Sequence, residues 1–196
     1  MEIIGHRGAK GLAPENSLEA IKIALELGVD MIETDLRMQG TNIVLSHDDT
    51  LPKQTYTSLI EALAEIDCTA PLNLEIKEQK VIKPLAKVLE DYKGKIIISS
   101  KSFSILQSVK KQIPHSEIAI IESWSGVRAV ASASYLGTHR VHLKHNWLWS
   151  GFVRSMKHRG YLLYAYTVNS VERAEELESW GVDGIFTDFP DRFIKK

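Results

Sequence analysis

Residues 31 to 46 read Met-Ile-Glu-Thr-Asp-Leu-Arg-Met-Gln-Gly-Thr-Asn-Ile-Val-Leu-Ser, and this stretch decides between two architectures. Met31 to Asp35 and Ile43 to Ser46 both have β-strand character, with the turn-forming Gln39-Gly40-Thr41-Asn42 between them. Only about seven residues separate Asp35 from Ile43, whereas a crossover between parallel strands needs a dozen or more. Ile43 to Ser46 is therefore expected to be the returning arm of an antiparallel hairpin.

Outward from this stretch, β-type runs recur at Glu2 to Gly5, Leu72 to Lys77, Ile96 to Ser99, Ile118 to Ile121, Val141 to Lys144, Leu162 to Thr167 and Gly184 to Thr187. Most are separated by helical patterns. Leu18, Ile21, Ala24 and Leu25 recur at helical spacing, with Asn16 as the expected N-cap and Gly28 as the stop. Ser170 to Trp180 repeats the arrangement before Gly181. Strands alternating with helices imply right-handed βαβ units and a parallel sheet. With the hairpin arm set aside, eight parallel strands remain, the number that closes a barrel, and the count favours it over an open doubly wound sheet. The expected fold is α/β: a single (β/α)₈ TIM barrel over residues 1–196, with an extra antiparallel arm after the second strand.

The bulk numbers agree with one ordinary globular domain, at 196 residues with 44% hydrophobic and 25% charged. A formal net charge of -1 gives no general field for nucleic acid or an anionic membrane, so a bound anion must be held by a local site. No run approaches the roughly 20 apolar residues that span a bilayer, so stable membrane insertion is not expected. The single cysteine, Cys68, excludes an intrachain disulfide and is expected in the core. A cytoplasmic location follows as the expectation, since the chain starts without a basic stretch leading into a long hydrophobic segment.

Chemistry concentrates at strand ends. Glu33 and Asp35 lie two residues apart on a strand, so both side chains leave the same face. In Leu72-Asn73-Leu74-Glu75-Ile76-Lys77 the alternation is complete, and in a barrel the apolar face meets the helices while Asn73, Glu75 and Lys77 point inward. Barrel interiors usually hold branched apolar side chains, and burying charge is costly unless it is paired or binds a metal. Either acidic pair alone reads as a structural ion pair with Lys77 or Arg7. Together, Glu33, Asp35 and Glu75 exceed what one lysine and one arginine neutralise, and they form an all-oxygen site suited to Mg²⁺ or Ca²⁺.

His6 ends the first strand and His47 ends the hairpin arm. A lone histidine is more often structural or superficial, which is the reading for His115, His139 and His158. Two histidines beside an acidic cluster suit removal of a proton from a nucleophile and its return to a leaving alkoxide. The planar fork of Arg7 suits a phosphate oxygen, the alternative being a salt bridge to Glu33 or Asp35. Trp124, Trp147 and Trp149 are candidates for a wall of the mouth or a subunit contact, against ordinary packing.

In order along the chain, His6-Arg7-Gly8, Pro14-Glu15-Asn16-Ser17, Glu33-Thr34-Asp35, His47-Asp48, Glu75-Ile76-Lys77, Thr167-Val168-Asn169 and Gly181-Val182-Asp183-Gly184 through Thr187-Asp188 resemble the signature of the glycerophosphodiester phosphodiesterase family. The resemblance covers nearly the whole chain. It implies a (β/α)₈ barrel, a small phosphodiester as partner, and metal-dependent hydrolysis of glycerophosphodiesters to glycerol 3-phosphate and an alcohol. It further implies that Glu33, Asp35 and Glu75 bind the metal and that His6 and His47 are the acid-base pair; Arg7 and Lys77 are assigned to the substrate phosphate on their charge and position. Typical members carry an insertion after the second histidine, whereas here Asp48 to Gln54 runs almost directly into a helical segment, Tyr56 to Glu61. Many have tryptophan where this chain has Tyr166. An open mouth suits a second activity, a phospholipase-like one on a lysophospholipid or sphingolipid that passes through a cyclic phosphate. A non-catalytic phosphate-binding barrel would lack one of the histidines or acids, and none is missing.

Overall fold

A computed structural model of the chain describes residues 1–194. Its strands are β1 (Glu2–Gly5), β2 (Met31–Gln39), β3 (Asn42–Leu45), β4 (Leu72–Ile76), β5 (Ile96–Ser100), β6 (Glu117–Glu122), β7 (Arg140–Lys144), β8 (Leu162–Tyr166) and β9 (Gly184–Thr187). Eight of them pair in parallel in the order β1-β9-β8-β7-β6-β5-β4-β2, and β1 also pairs with β2, so the sheet closes into a barrel. The ninth, β3, lies antiparallel to β2, from Leu36 opposite Leu45 to Gln39 opposite Asn42. The hairpin is tighter than the sequence suggests. β2 continues past Asp35 to Gln39, leaving Gly40 and Thr41 as a two-residue turn, and Gly40 supplies the positive φ of 60° that such turns need.

Helices α1 (Leu18–Leu27), α2 (Leu59–Ile66), α3 (Ile82–Asp91), α4 (Phe103–Gln112), α5 (Gly126–Leu136), α6 (Ser150–His158) and α7 (Val171–Trp180) follow the strands and cover the outside. Leu72, Leu74 and Ile76 of β4 join the core cluster between barrel and helices, as the alternation requires. A separate cluster of Ile4, Met31, Ile97, Ala119, Tyr164 and Phe186 fills the barrel interior. The barrel is thus a packed core, and only its carboxyl end is left for polar chemistry. Among the described residues no helix is long and apolar enough to cross a membrane.

Three local expectations are corrected. Ser17, not Asn16, caps α1, its hydroxyl accepting from the Ala20 N–H, because Asn16 is turned inward to bond Asp35. The helical segment expected from Tyr56 begins at Leu59, where Ser58 and Glu61 form a reciprocal capping box. Cys68 is exposed rather than in the core. The helix ends at Ile66, and Asp67 and Cys68 both take positive φ, 42° and 59°, in the turn that leaves it.

The loop after β1 approaches α1 closely at Gly8, where φ is 84° and an added Cβ would lie 2.6 Å from the carbonyl carbon of Ala20. Gly28 has a similar φ of 77° but open space around it. Left-handed strain costs a non-glycine residue roughly 1 to 2 kcal/mol, and only Gly8→Ala adds a backbone clash to that strain. Urea unfolding should therefore show Gly28→Ala losing about that much and Gly8→Ala clearly more; equal losses would contradict the close approach.

Candidate active site

Register assembles the acidic cluster. Asp35 on β2 is directly opposite Glu75 on β4, and Glu33 is opposite Asn73, so all four side chains project into the barrel from neighbouring strands. Glu33 and Asp35 are buried, at 2% and 1% exposure. One oxygen from each of Glu33, Asp35 and Glu75 can be chosen so that all lie within 4.8 Å of one another. Lys77, just past β4, places its Nζ 2.7 Å from Asp35 Oδ1 and 2.5 Å from Glu75 Oε1. Arg7 Nε is 3.0 Å from Asp35 Oδ2, and its Nη1 donates to Glu15 at 2.8 Å. Both cations are therefore held by carboxylates.

Glu33 is held differently. Its Oε2 accepts the Arg7 backbone N–H at 2.8 Å, while its buried Oε1 has no hydrogen-bond partner. Burial, together with the charges of Asp35 and Glu75, raises its pKa well above the ordinary carboxylate range. For Asp35 burial acts in the same direction, but Lys77 and Arg7 outweigh it and hold the group below its usual value. Burial likewise opposes the charge on Lys77, and Glu75 and Asp35 overcome it and raise the pKa. Three hard oxygen donors, one of them a buried unbonded oxygen, fit a divalent cation of the Mg²⁺ or Ca²⁺ kind.

His6 stands beside this cluster, its Nε2 4.0 Å from Glu33 Oε2. Its Nδ1 lies 2.6 Å from Asp188 Oδ1. Asp188 Oδ2 accepts from Asn169 at 2.9 Å, and Asn169 Oδ1 in turn accepts from the Asp188 N–H at 2.9 Å. Burial works to raise the pKa of Asp188, and the hydrogen bonds from His6 and Asn169 prevail and lower it. An ionised Asp188 can only accept, which puts the proton of neutral His6 on Nδ1 and leaves Nε2 as the free base. His47 pairs its Nδ1 with the exposed Asp48 at 2.8 Å.

His6, Arg7, Glu33, His47, Glu75 and Lys77 all line a cavity of about 320 Å³. Asp35 lies beneath them, holding Arg7 and Lys77 in place. Lys101, Lys144, His145, Asn146 and Tyr166 also line the cavity, and the Tyr166 hydroxyl is 2.8 Å from Ser123 Oγ. Tyr166 is the position where many family members have tryptophan; the sequence suggests no role for Lys101, Lys144, His145 and Asn146, and none for Asn169 and Asp188 beyond their place in the family signature, although all stand at or just past strand ends. His142 lies in the cavity floor against Phe186, and burial and Arg140 push its pKa down to about 3, so it stays neutral. His115, His139 and His158 are exposed, away from the cavity. Trp147 packs on Phe152, while Trp124 and Trp149 are exposed, at 78% and 62%.

A closed parallel barrel whose carboxyl mouth gathers acids, cations and histidines around a small cavity is the arrangement of a (β/α)₈-barrel phosphoric diester hydrolase. The model of the glycerophosphoryl diester phosphodiesterase family matches residues 6–61 and 60–192, and the chain belongs to that family. A glycerophosphodiester phosphodiesterase of Caldanaerobacter subterraneus subsp. tengcongensis is 28% identical over 232 residues, covering 98% of this chain and 96% of that protein. The alignment is longer than the 196-residue chain, so the relative holds residues that this chain lacks. The fold is shared with an Oleispira antarctica phosphodiesterase in complex with the product sn-glycerol-3-phosphate, at a TM-score of 0.91, 24% identity and coverage of 98% of this chain and 94% of that one. It is also shared with the Thermotoga maritima glycerophosphodiester phosphodiesterase, at a TM-score of 0.85, 20% identity and coverage of 99% and 97%.

Opposite electrostatic settings of neighbouring acids give opposite mutant outcomes in metal-free protein. A carboxyl whose folded pKa is raised is destabilising once pH exceeds its unfolded value near 4.3, and the cost grows up to the folded pKa. In chelator at pH 8, Glu33→Gln should melt above the parent, with the gap narrowing towards pH 5. Asp35→Asn should melt below it, since Lys77 and Arg7 lose their shared counter-charge. Identical shifts for the two variants would show that the cluster does not have this asymmetry.

Proposed function

We propose that the chain hydrolyses glycerophosphodiesters to glycerol 3-phosphate and an alcohol, with a divalent cation at Glu33, Asp35 and Glu75 and with His6 and His47 as its acid-base pair. The observation that carries this reading is the shared cavity, in which both histidines, both cations and two of the acids face one space of small-diester size. A bound Mg²⁺ or Ca²⁺ ion, held by Glu33, Asp35 and Glu75, would supply positive charge to the phosphoryl group and acidify the nucleophile. Lys77 and Arg7, oriented by Asp35, Glu75 and Glu15, add charge stabilisation as negative charge builds around phosphorus. His6 takes the proton of the nucleophile on Nε2, and Asp188 stabilises the resulting imidazolium through Nδ1. His47, at the more open side of the cavity and paired to Asp48, gives a proton to the leaving alcohol.

The nucleophile is water, or a glycerol hydroxyl of the substrate itself. The second case yields a cyclic phosphate, as in the lysophospholipid or sphingolipid reading, and the short loop from Asp48 to Thr57 favours room for a longer alcohol. Product identification separates the two, because only the internal nucleophile releases the alcohol before a cyclic diester opens.

Stripping with chelator is expected to abolish hydrolysis of glycerophosphocholine, with Mg²⁺ or Ca²⁺ restoring it; full activity of stripped protein would remove the cation from the reading. His6→Ala and His47→Ala should each lower kcat by roughly 10² to 10⁴, while His115→Ala leaves it unchanged. An aryl phosphodiester, whose leaving group departs without a proton, should restore rate to His47→Ala alone. Rescue of His6→Ala instead would exchange the two roles.

A further inference from the structure

Acidic residues are unevenly distributed along the chain. Between Glu122 and Glu172 there is no Asp or Glu, although the chain holds 25, while six of its 24 Lys and Arg and three of its four Trp fall in that stretch. The stretch forms α5, β7, α6 and β8, one flank of the barrel. Several of its cations are matched by acids from outside it: Arg128 by Glu122, Arg140 by Glu117 and Lys157 by Asp183. Arg154 in α6 and Arg159 just after its last turn are exposed, and no carboxylate of the described residues forms an ion pair with either.

The same flank carries protruding apolar groups. Trp124, Val127 and Trp149 are 78%, 81% and 62% exposed. Trp124 follows β6, Val127 is in the first turn of α5, and Trp149 immediately precedes α6, so all three stand at the carboxyl end of the barrel, where the catalytic cavity opens. Lys144 links the two regions, since it lines that cavity and lies 5.0 Å over the Trp124 ring. Between α5 and α6 runs an apolar groove of about 350 Å³, lined by Val127, Val130, Phe152 and Met156 with Arg159 at its edge.

We propose that this flank docks on the surface of an anionic lipid bilayer, so that the catalytic mouth opens beside the membrane. Indole rings partition to the boundary between headgroup and acyl chain, and unpaired arginines beside them are attracted to anionic headgroups. A groove of apolar side chains ending in a guanidinium suits an acyl chain with its phosphate. A nucleic acid would instead call for a row of free cations along its backbone, and here the exposed arginines without an acidic partner are interrupted by apolar side chains.

The test is co-sedimentation of the intact chain with vesicles of phosphatidylcholine alone or mixed with phosphatidylglycerol, alongside quenching of tryptophan fluorescence by brominated acyl chains. Binding and quenching are expected with the anionic vesicles only, weakening as salt rises. Val127→Ser with Trp149→Ser, and Arg154→Glu with Arg159→Glu, should each reduce that binding by about tenfold or more. All four positions are exposed, and both variants should hydrolyse water-soluble glycerophosphocholine at the parent rate. Absence of binding to anionic vesicles, or binding that neither variant weakens, would overturn the proposal. So would a parent dimer that the Val127/Trp149 variant splits, which would make the flank an interface between copies, or tighter binding to single-stranded RNA than to vesicles.

Discussion

More negative charge is gathered inside one end of a β-barrel than the nearby cations neutralise, and much of the surrounding structure answers to that excess. Asp35 and Glu75 are adjacent across a parallel ladder and share Lys77; Asp35 also holds Arg7. Glu33 is left with one backbone N–H and one unbonded oxygen. The barrel's own packed interior, from Ile4 to Phe186, keeps water from entering below the cluster. Such an arrangement is poor for stability and good for capturing a hard cation, which is the trade that functional sites commonly make.

Much of this was legible in the sequence because it is local. Period-two alternation in Leu72 to Lys77 tells which side chains face inward, and spacing alone puts Glu33 and Asp35 on one face. Loop length identifies the hairpin arm, since chain geometry forbids a parallel crossover of that size. What escaped the sequence depends on closure or on competition for a single group. Asn16 looks like a helix cap, and Asp35 claims it instead. Asp188 and Asn169 stand in recognisable strand-end positions, but their role requires β9 to lie beside β1, a pairing that nothing local encodes. Cys68 escaped because burial preference is only a tendency, and the chain leaves α2 there through two left-handed residues.

The two histidines are supported unequally. His6 is fixed by a partly buried carboxylate that is itself held by Asn169, whereas the partner of His47 is an exposed aspartate next to it in sequence. A rigidly oriented ring with a set tautomer suits contact with a nucleophile whose position is constrained by the acidic cluster. A more open ring suits departing alcohols of differing size. The short connection after His47 leaves that ring more open still.

Closure of the barrel by β1 against β9 also has a temporal meaning. During synthesis β1 with His6 emerges before the segment holding Asp188, and domains begin to organise while synthesis continues. Until β9 emerges, β1 has an open edge on that side and His6 lacks the group that sets its proton. The charged cluster of β2 and β4 can form early, but the proton-accepting nitrogen beside it becomes defined only when the two extremities of the barrel meet. Orientation of the His6 ring is thereby coupled to the emergence of β9, and a chain interrupted before that strand would carry the acids without the carboxylate that holds His6.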